Sequence, residues 1–196
     1  RAVMAELGRV IRFAHDIPLP QSGAWPAARD WVALVEWRLP RIGSDLTGGT
    51  SLRPDVIAEI EREMAANDWF ATRPCLLHAD LTEDHLLLDR HEGRWSMTGL
   101  IDWADAEVGD PLYDCVALWF SICRRNAGLF CAFLDSYGPD ISGDVELVRR
   151  LEACTFLHRF SAAIINEMLT ADDQRVIQSL ADLRQVLFGG LVNSFC

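Results

Sequence analysis

The chemistry of this chain is concentrated between residues 78 and 102. In LLHADLTEDHLLLD (76–89), His78, Asp80 and His85 stand between two apolar runs, and Asp102 closes the next apolar stretch, GLID. A carboxylate and an imidazole together can hold a hard divalent cation, with water and substrate oxygens in the other positions. A second carboxylate beside them can accept a hydrogen bond from an attacking hydroxyl. On residue type alone the same side chains also suit a turn, where Asp bonds nearby backbone N–H groups. A metal site, a catalytic loop and a plain surface turn therefore stay open at this point.

The element that would bring these residues together is a hairpin. CLLH (75–78) is short and apolar, as a buried strand is. HLLLD (85–89) and RWSMTGLID (94–102) flank RHEG, a turn-like tetrapeptide. The start and the end of a hairpin are neighbours, so Asp102 is expected beside His85 and Asp80. Asp80 as base, with His85 and Asp102 as metal ligands, is the order of parts used in phosphoryl transfer by kinases.

The rest of the chain reads as helical. Val3, Leu7, Val10, Ile11 and Ala14 fall at helical spacing over 2–15, with Pro18 and Pro20 as the stop. A second helix is expected from near Pro26, through Trp31, Leu34, Val35 and Arg38, to Pro40. A third runs from Pro54 through Ile57, Ile60 and Met64. GSDLTGGTSLRP (43–54) reads as a plain connector. After GDP (109–111), helices are expected over PLYDCVALWFSIC and GLFCAFLDSYG, then from Asp144 to about Met168 and from Asp172 to Leu187. The expected fold class is α+β, mostly α-helical: three helices, a small hairpin sheet, then four helices. Trp31, Trp37, Trp69, Trp95, Trp103 and Trp119 are read as packing residues.

Composition narrows the function. The net charge is −11, a poor surface for nucleic acid and a suitable one for a cationic small molecule. All 18 basic residues are Arg, which removes Schiff-base chemistry and the phosphate-binding lysine of a P-loop. No apolar run is long enough to span a membrane, and charges interrupt the apolar positions of RAVMAELGRVIRF, so neither a membrane partner nor a signal peptide is expected. The six cysteines, Cys75, Cys115, Cys123, Cys131, Cys154 and Cys196, form no C-x-x-C pair and read as reduced, mostly buried thiols of a cytoplasmic protein. The chain starts on Arg1 with no initiator Met, so an upstream part is expected.

Two linked motifs now become specific. HADLTEDH resembles the H-x-D-x-x-x-x-N catalytic loop of aminoglycoside phosphotransferases and their kinase-like relatives. GLIDWADAEVGDPLYD resembles the second signature of that superfamily, I-D-W followed by G-D-P and a further Asp. The resemblance implies a protein-kinase-like C-terminal lobe over residues 1–196, without the N-terminal nucleotide-binding lobe or its strand lysine. It implies a γ-phosphoryl transfer from ATP or GTP, with Mg2+, to a hydroxyl of a small molecule such as an aminoglycoside or related antibiotic, and hence a part in antibiotic resistance. Asp80 matches the catalytic base and Asp102 the magnesium-binding Asp. His85 stands where an Asn is usual, and macrolide phosphotransferases and some hygromycin-kinase-like members are similar in carrying His there. His78 matches the histidine that braces the loop, and Asp110 and Asp114 match acids that tie the following turn to it.

Only seven residues separate Asp102 from Asp110, too few for the activation segment that holds a peptide in protein kinases, so a small acceptor is expected. Asp105 and Glu107 are candidates to line its pocket. Read singly, the same residues have plainer roles. Asp110 before Pro111 suits a helix N-cap, His91 a solvated turn, and His15 and His158 a helix surface or core. Two other functions stay open: a catalytically silent pseudokinase lobe, suggested by the missing lysine, and an iron oxygenase with His78, Asp80 and a distant histidine such as His158 as its triad.

Overall fold

The computed structural model describes residues 1–19, 30–69, 73–142 and 146–192. The expectations placed on Pro20, Pro26, Asp144 and Cys196 lie outside them. Among the described residues four helices precede the sheets: α1 (Ala2–His15), α2 (Trp31–Arg38), α3 (Ile42–Gly49) and α4 (Pro54–Ala66). The limits of α1 are those read from the sequence, and α4 starts at Pro54 as expected. The connector reading of 43–54 is corrected by α3. Its glycines each cost about 1 kcal/mol in a helix, but Ile42 and Leu46, one turn apart, are fully buried and hold it in place.

Among the described residues two small antiparallel sheets follow. β1 (Cys75–Leu77) pairs with β4 (Glu107–Gly109), and β2 (Leu86–His91) pairs with β3 (Arg94–Leu100). The hairpin turn is tighter than the tetrapeptide reading. His91 pairs with Arg94, and the two residues between them, Glu92 and Gly93, have φ of 50° and 79°. Positive φ at both central positions is the mark of a type I′ turn, whose twist matches that of the strands. β3 rests on α1, where the Glu6 carboxylate accepts the Met97 N–H at 2.6 Å. β4 was not foreseen. Its Gly109 admits the ring of Trp31, since a Cβ there would lie 2.6 Å from Trp31 Cε3.

Among the described residues seven helices follow where four were expected: α5 (Leu112–Ala117), α6 (Ala127–Tyr137), α7 (Pro139–Ser142), α8 (Leu147–Leu157), α9 (Ser161–Met168), α10 (Ala171–Val176) and α11 (Leu180–Val192). A π-helical turn over Leu118–Ile122 continues α5. The long helix expected to reach Met168 is broken at 158–160. Buried Arg38 of α2 donates to the carbonyls of Leu157 (2.9 Å) and His158 (3.1 Å), acceptors that a continuous helix would use itself. The 172–187 helix is likewise split, because the Ser179 hydroxyl accepts the Asp182 N–H and caps the start of α11.

The core runs through most of these elements, with Trp119, Tyr113, Phe130, Phe133 and Phe188 among its largest buried side chains. Trp31, Trp69 and Trp119 pack as expected, but Trp95, on the outer face of the hairpin, is 54% exposed. Cys75, Cys115, Cys123 and Cys154 are free and buried, and burial pushes their thiols up, Cys123 to about 12. Cys131 is disulfide-bonded, which corrects the reading of six reduced thiols. Among the described residues no helix is long and apolar enough to cross a membrane.

Candidate active site

The site is built where β1 ends. Ala79 turns the chain with φ of 65°, a left-handed conformation that an L-residue keeps only when its surroundings hold it. Asp114, in the first turn of α5, supplies the hold. Its Oδ2 accepts the His78 N–H at 2.9 Å and its Oδ1 accepts the Ala79 N–H at 2.7 Å. His15 of α1 stands behind it, with Nε2 3.1 Å from Asp114 Oδ2 and Nδ1 2.8 Å from the Tyr137 hydroxyl. Burial pushes the Asp114 carboxyl up, but the hydrogen bond and charge of His15 and the two backbone N–H groups outweigh it, leaving the group below its ordinary value.

His78 is fully buried and donates from Nε2 to the Ile101 carbonyl at 2.9 Å. Ile101 in turn donates its N–H to the His85 carbonyl at 3.0 Å. These two bonds close the base of the hairpin and fix the position of the next residue, Asp102, whose φ is 62°. The ring of His78 also packs against Trp103 (4.8 Å between centroids) and His85 (5.5 Å).

His85 lies in a 3-10 turn (Glu83–His85) rather than at the start of the strand. Its Nδ1 is 2.7 Å from the Asp80 carbonyl and 4.0 Å from Asp80 Oδ2, and its Nε2 is 3.6 Å from Asp102 Oδ2. A carbonyl can only accept, so Nδ1 carries a proton, and it is Nε2 that faces the Asp102 carboxylate; in the neutral ring Nε2 offers a lone pair. Both Asp80 and Asp102 are open to solvent, at 27% and 56% of their side-chain surface. The three residues expected to converge do converge. His85 and Asp102 are the residues that would hold a divalent ion here, with water completing its shell.

The other candidates separate. Asp110 caps α5, accepting the Leu112 N–H at 2.8 Å, and its second oxygen takes Arg150 of α8 at 2.8 Å. Its carboxylate thus ties the turn to α8, and Asp114 is the acid that reaches the loop. Asp105 is ion-paired with Arg159 at 2.9 Å, and Glu107 is buried within β4. Neither presents a free carboxylate to an open pocket. His158 is buried and stacked on Tyr113 at 4.5 Å, and burial pushes its imidazole down to about 3, so it is neutral. The iron triad of His78, Asp80 and His158 is not assembled among the described residues. Among the described residues no three His, Cys, Asp or Glu side chains are placed to hold one metal ion.

His15 was missed as a contributor. Nothing near it in sequence marks it, since its partner Asp114 is 99 residues away. Glu83 was also passed over. It accepts from Arg124 at 2.6 Å and from the Ser121 hydroxyl, anchoring the far end of the loop to the π-helical turn.

Comparison with known proteins agrees with this architecture. The chain superposes on a macrolide 2'-phosphotransferase type I with a TM-score of 0.60 and 17% identity, covering 96% of this chain and 59% of that one. A streptomycin-ATP-APH(2")-IIa ternary complex gives 0.56 and 18%, covering 98% and 60%. These identities show a shared fold, that of kinase-like phosphotransferases. Among curated proteins, YcbJ of Bacillus subtilis (strain 168), uncharacterized, is 35% identical over 66 residues, 34% of this chain and 21% of that protein. Lysine-specific demethylase JMJ21 of Arabidopsis thaliana is 25% identical over 75 residues, only 8% of its length. The chain thus spans about three-fifths of the solved structures it matches and far less of the curated relatives. A family model described as the phosphotransferase enzyme family, APH, matches residues 1–148, and the chain belongs to that family.

Proposed function

We propose that residues 1–196 form the C-terminal, catalytic lobe of a small-molecule kinase, which moves the γ-phosphoryl group of ATP or GTP to an alcohol. The observation that carries this reading is the convergence at the hairpin base, with His85 Nδ1 4.0 Å from the Asp80 carboxylate and His85 Nε2 3.6 Å from that of Asp102. Asp80 accepts a hydrogen bond from the acceptor hydroxyl and aims its oxygen at the γ-phosphorus. As the new O–P bond forms, the bond to the bridging β–γ oxygen breaks, the hydroxyl proton passes to Asp80, and the nucleoside diphosphate leaves. Asp102 and His85 would hold Mg2+, which when bound supplies charge neutralisation at the phosphates. His78, Asp114 and His15 act only through the loop: they keep Ala79 in its turn and so keep Asp80 outward.

The nucleotide needs a second wall. The chain spans about 60% of the two superposed structures, so we place the nucleotide-binding lobe and its lysine in sequence outside residues 1–196. Cytoplasm, where nucleotide and Mg2+ are plentiful, is the compartment this chemistry requires. The names of those two relatives make hydroxylated antibiotics natural first acceptors to test. A silent pseudokinase lobe is the second reading, favoured by one observation: none of the 196 residues is Lys.

A nucleotide-consumption screen of the full-length protein against hydroxylated antibiotics and amino alcohols decides between the two. Acceptor-dependent release of diphosphate is expected. Its absence across the panel, with nucleotide still bound, would favour the silent lobe.

A further inference from the structure

We propose that Arg159 is a specificity-determining residue that turns the acceptor side of the site away from polycations and toward neutral or anionic hydroxyl compounds. This rests on the phosphotransferase reading above. Asp105 ends the 3-10 turn (Trp103–Asp105) that follows Asp102, which puts it three residues from the reacting end of the site. It is the first acid past Asp102 that an approaching cation would seek, and Arg159 already occupies it, with Nη2 2.9 Å from Oδ2. Glu107, the next acid along, is buried in β4.

Arg159 is held in that place. Its backbone N–H donates to the Tyr113 hydroxyl at 3.1 Å, its neighbour His158 stacks on the Tyr113 ring at 4.5 Å, and its guanidinium lies 5.0 Å from the Phe160 ring centre. Its Nε and Nη2 are buried and make no hydrogen bond among the described residues, so the ion pair with Asp105 is their polar contact and breaking it would leave the guanidinium uncompensated. Ile101 and Phe160, beside Asp102 and Arg159 in sequence, are exposed apolar groups.

An acceptor arriving here meets a carboxylate already paired with a guanidinium, and apolar surface beside it. A polyamine must either break the ion pair or sit beside a like charge, whereas a neutral or anionic hydroxyl compound does neither. The net charge of −11 draws cations to the molecule as a whole, but the local pair decides what fits.

The test uses the full-length protein with MgATP and a panel of hydroxylated compounds that spans charge, from gluconate through neutral glycosides to kanamycin. The wild type is expected to have its highest kcat/KM on a neutral or anionic member. Arg159→Met frees Asp105 and is expected to shift the kanamycin-to-neutral ratio of kcat/KM by at least tenfold toward kanamycin. Asp105→Asn is expected to shift it the opposite way and carries the test if Arg159→Met fails to fold. A wild type that prefers kanamycin, or ratios unchanged within twofold in both variants, overturns the proposal while leaving the phosphotransferase reading intact. No acceptor-dependent turnover in the wild type removes both.

Discussion

His85 is committed by its Nδ1 before any ligand arrives, because that nitrogen faces the Asp80 carbonyl at 2.7 Å. What remains is an Nε2 lone pair beside Asp102, a softer donor than the amide oxygen of an Asn would be, and one that favours Mn2+ over Mg2+ more than an oxygen does. His85→Asn is therefore expected to keep activity within about tenfold and to lower the ratio of Mn2+- to Mg2+-supported kcat. His85→Ala is expected to raise the metal concentration needed for half-maximal rate by about tenfold or more, the scale of a lost metal-site interaction. Metal titrations of both variants check this, and an unchanged metal requirement in His85→Ala would remove the ligand role. Behind the loop, Asp114→Asn loses the charge that faces His15 and leaves one of two buried N–H groups without a partner. A destabilisation of about 2–4 kcal/mol is expected in urea unfolding. The Asp114 carboxyl titrates below its ordinary value in the folded state. Its stabilisation is thus present above the unfolded pKa and is lost as pH falls through the folded one.

At the scale of elements, the long apolar periodicities were legible and the tertiary interruptions were not. α1 and α4 follow from the spacing of Leu7 and Ile11 and of Ile57, Ile60 and Met64, all buried. The hairpin follows from two apolar runs around His91–Gly93, and its closure carries Asp80, His85 and Asp102 to one rim as expected. The break between α8 and α9 is imposed by Arg38, 119 residues before Leu157, so no local signal announces it. β4 is only three residues long and is a strand because β1 pairs with it. For the same reason Asp105 and Glu107 read as free acids in sequence, although their fates depend on Arg159 and on burial in the β1–β4 pair. Gly109 is the residue on which that pair depends. Gly109→Ala would drive a Cβ to 2.6 Å from Trp31 and 2.9 Å from Leu77 Cδ1. A loss of about 1–3 kcal/mol in unfolding free energy is expected, the usual cost of overpacking, together with reduced turnover as the Asp102–Asp110 segment shifts. Full stability in this variant would show that β4 is not held against α2.

For the molecule as a whole, two buried titratable groups oppose each other in pH. Glu152 on α8 is buried against Arg184 of α11, with Oε2 2.8 Å from its Nε and Oε1 without a hydrogen bond among the described residues. Burial, partly offset by Arg184, raises its carboxyl to about 7. Folding therefore favours the protonated form, and that stabilisation is lost as pH rises from about 4.5 through 7. His158 is pushed down to about 3, so its contribution is lost in the other direction, as pH falls below 6.5. Together they place maximal stability near pH 5–6. Glu152→Gln is expected to raise stability at pH 8 by up to about 2 kcal/mol, and His158→Phe to flatten the loss between pH 6 and 4. Thermal melts across pH 4–8 check both signs. The central claim concerns the chemistry at the hairpin base, and 31P NMR of the full-length protein with MgATP and an acceptor panel tests it most directly. A new phosphomonoester signal is expected with the wild type, falling at least about 100-fold in Asp80→Ala while nucleotide binding is retained. An ester formed undiminished by Asp80→Ala, or none formed by the wild type, would contradict it.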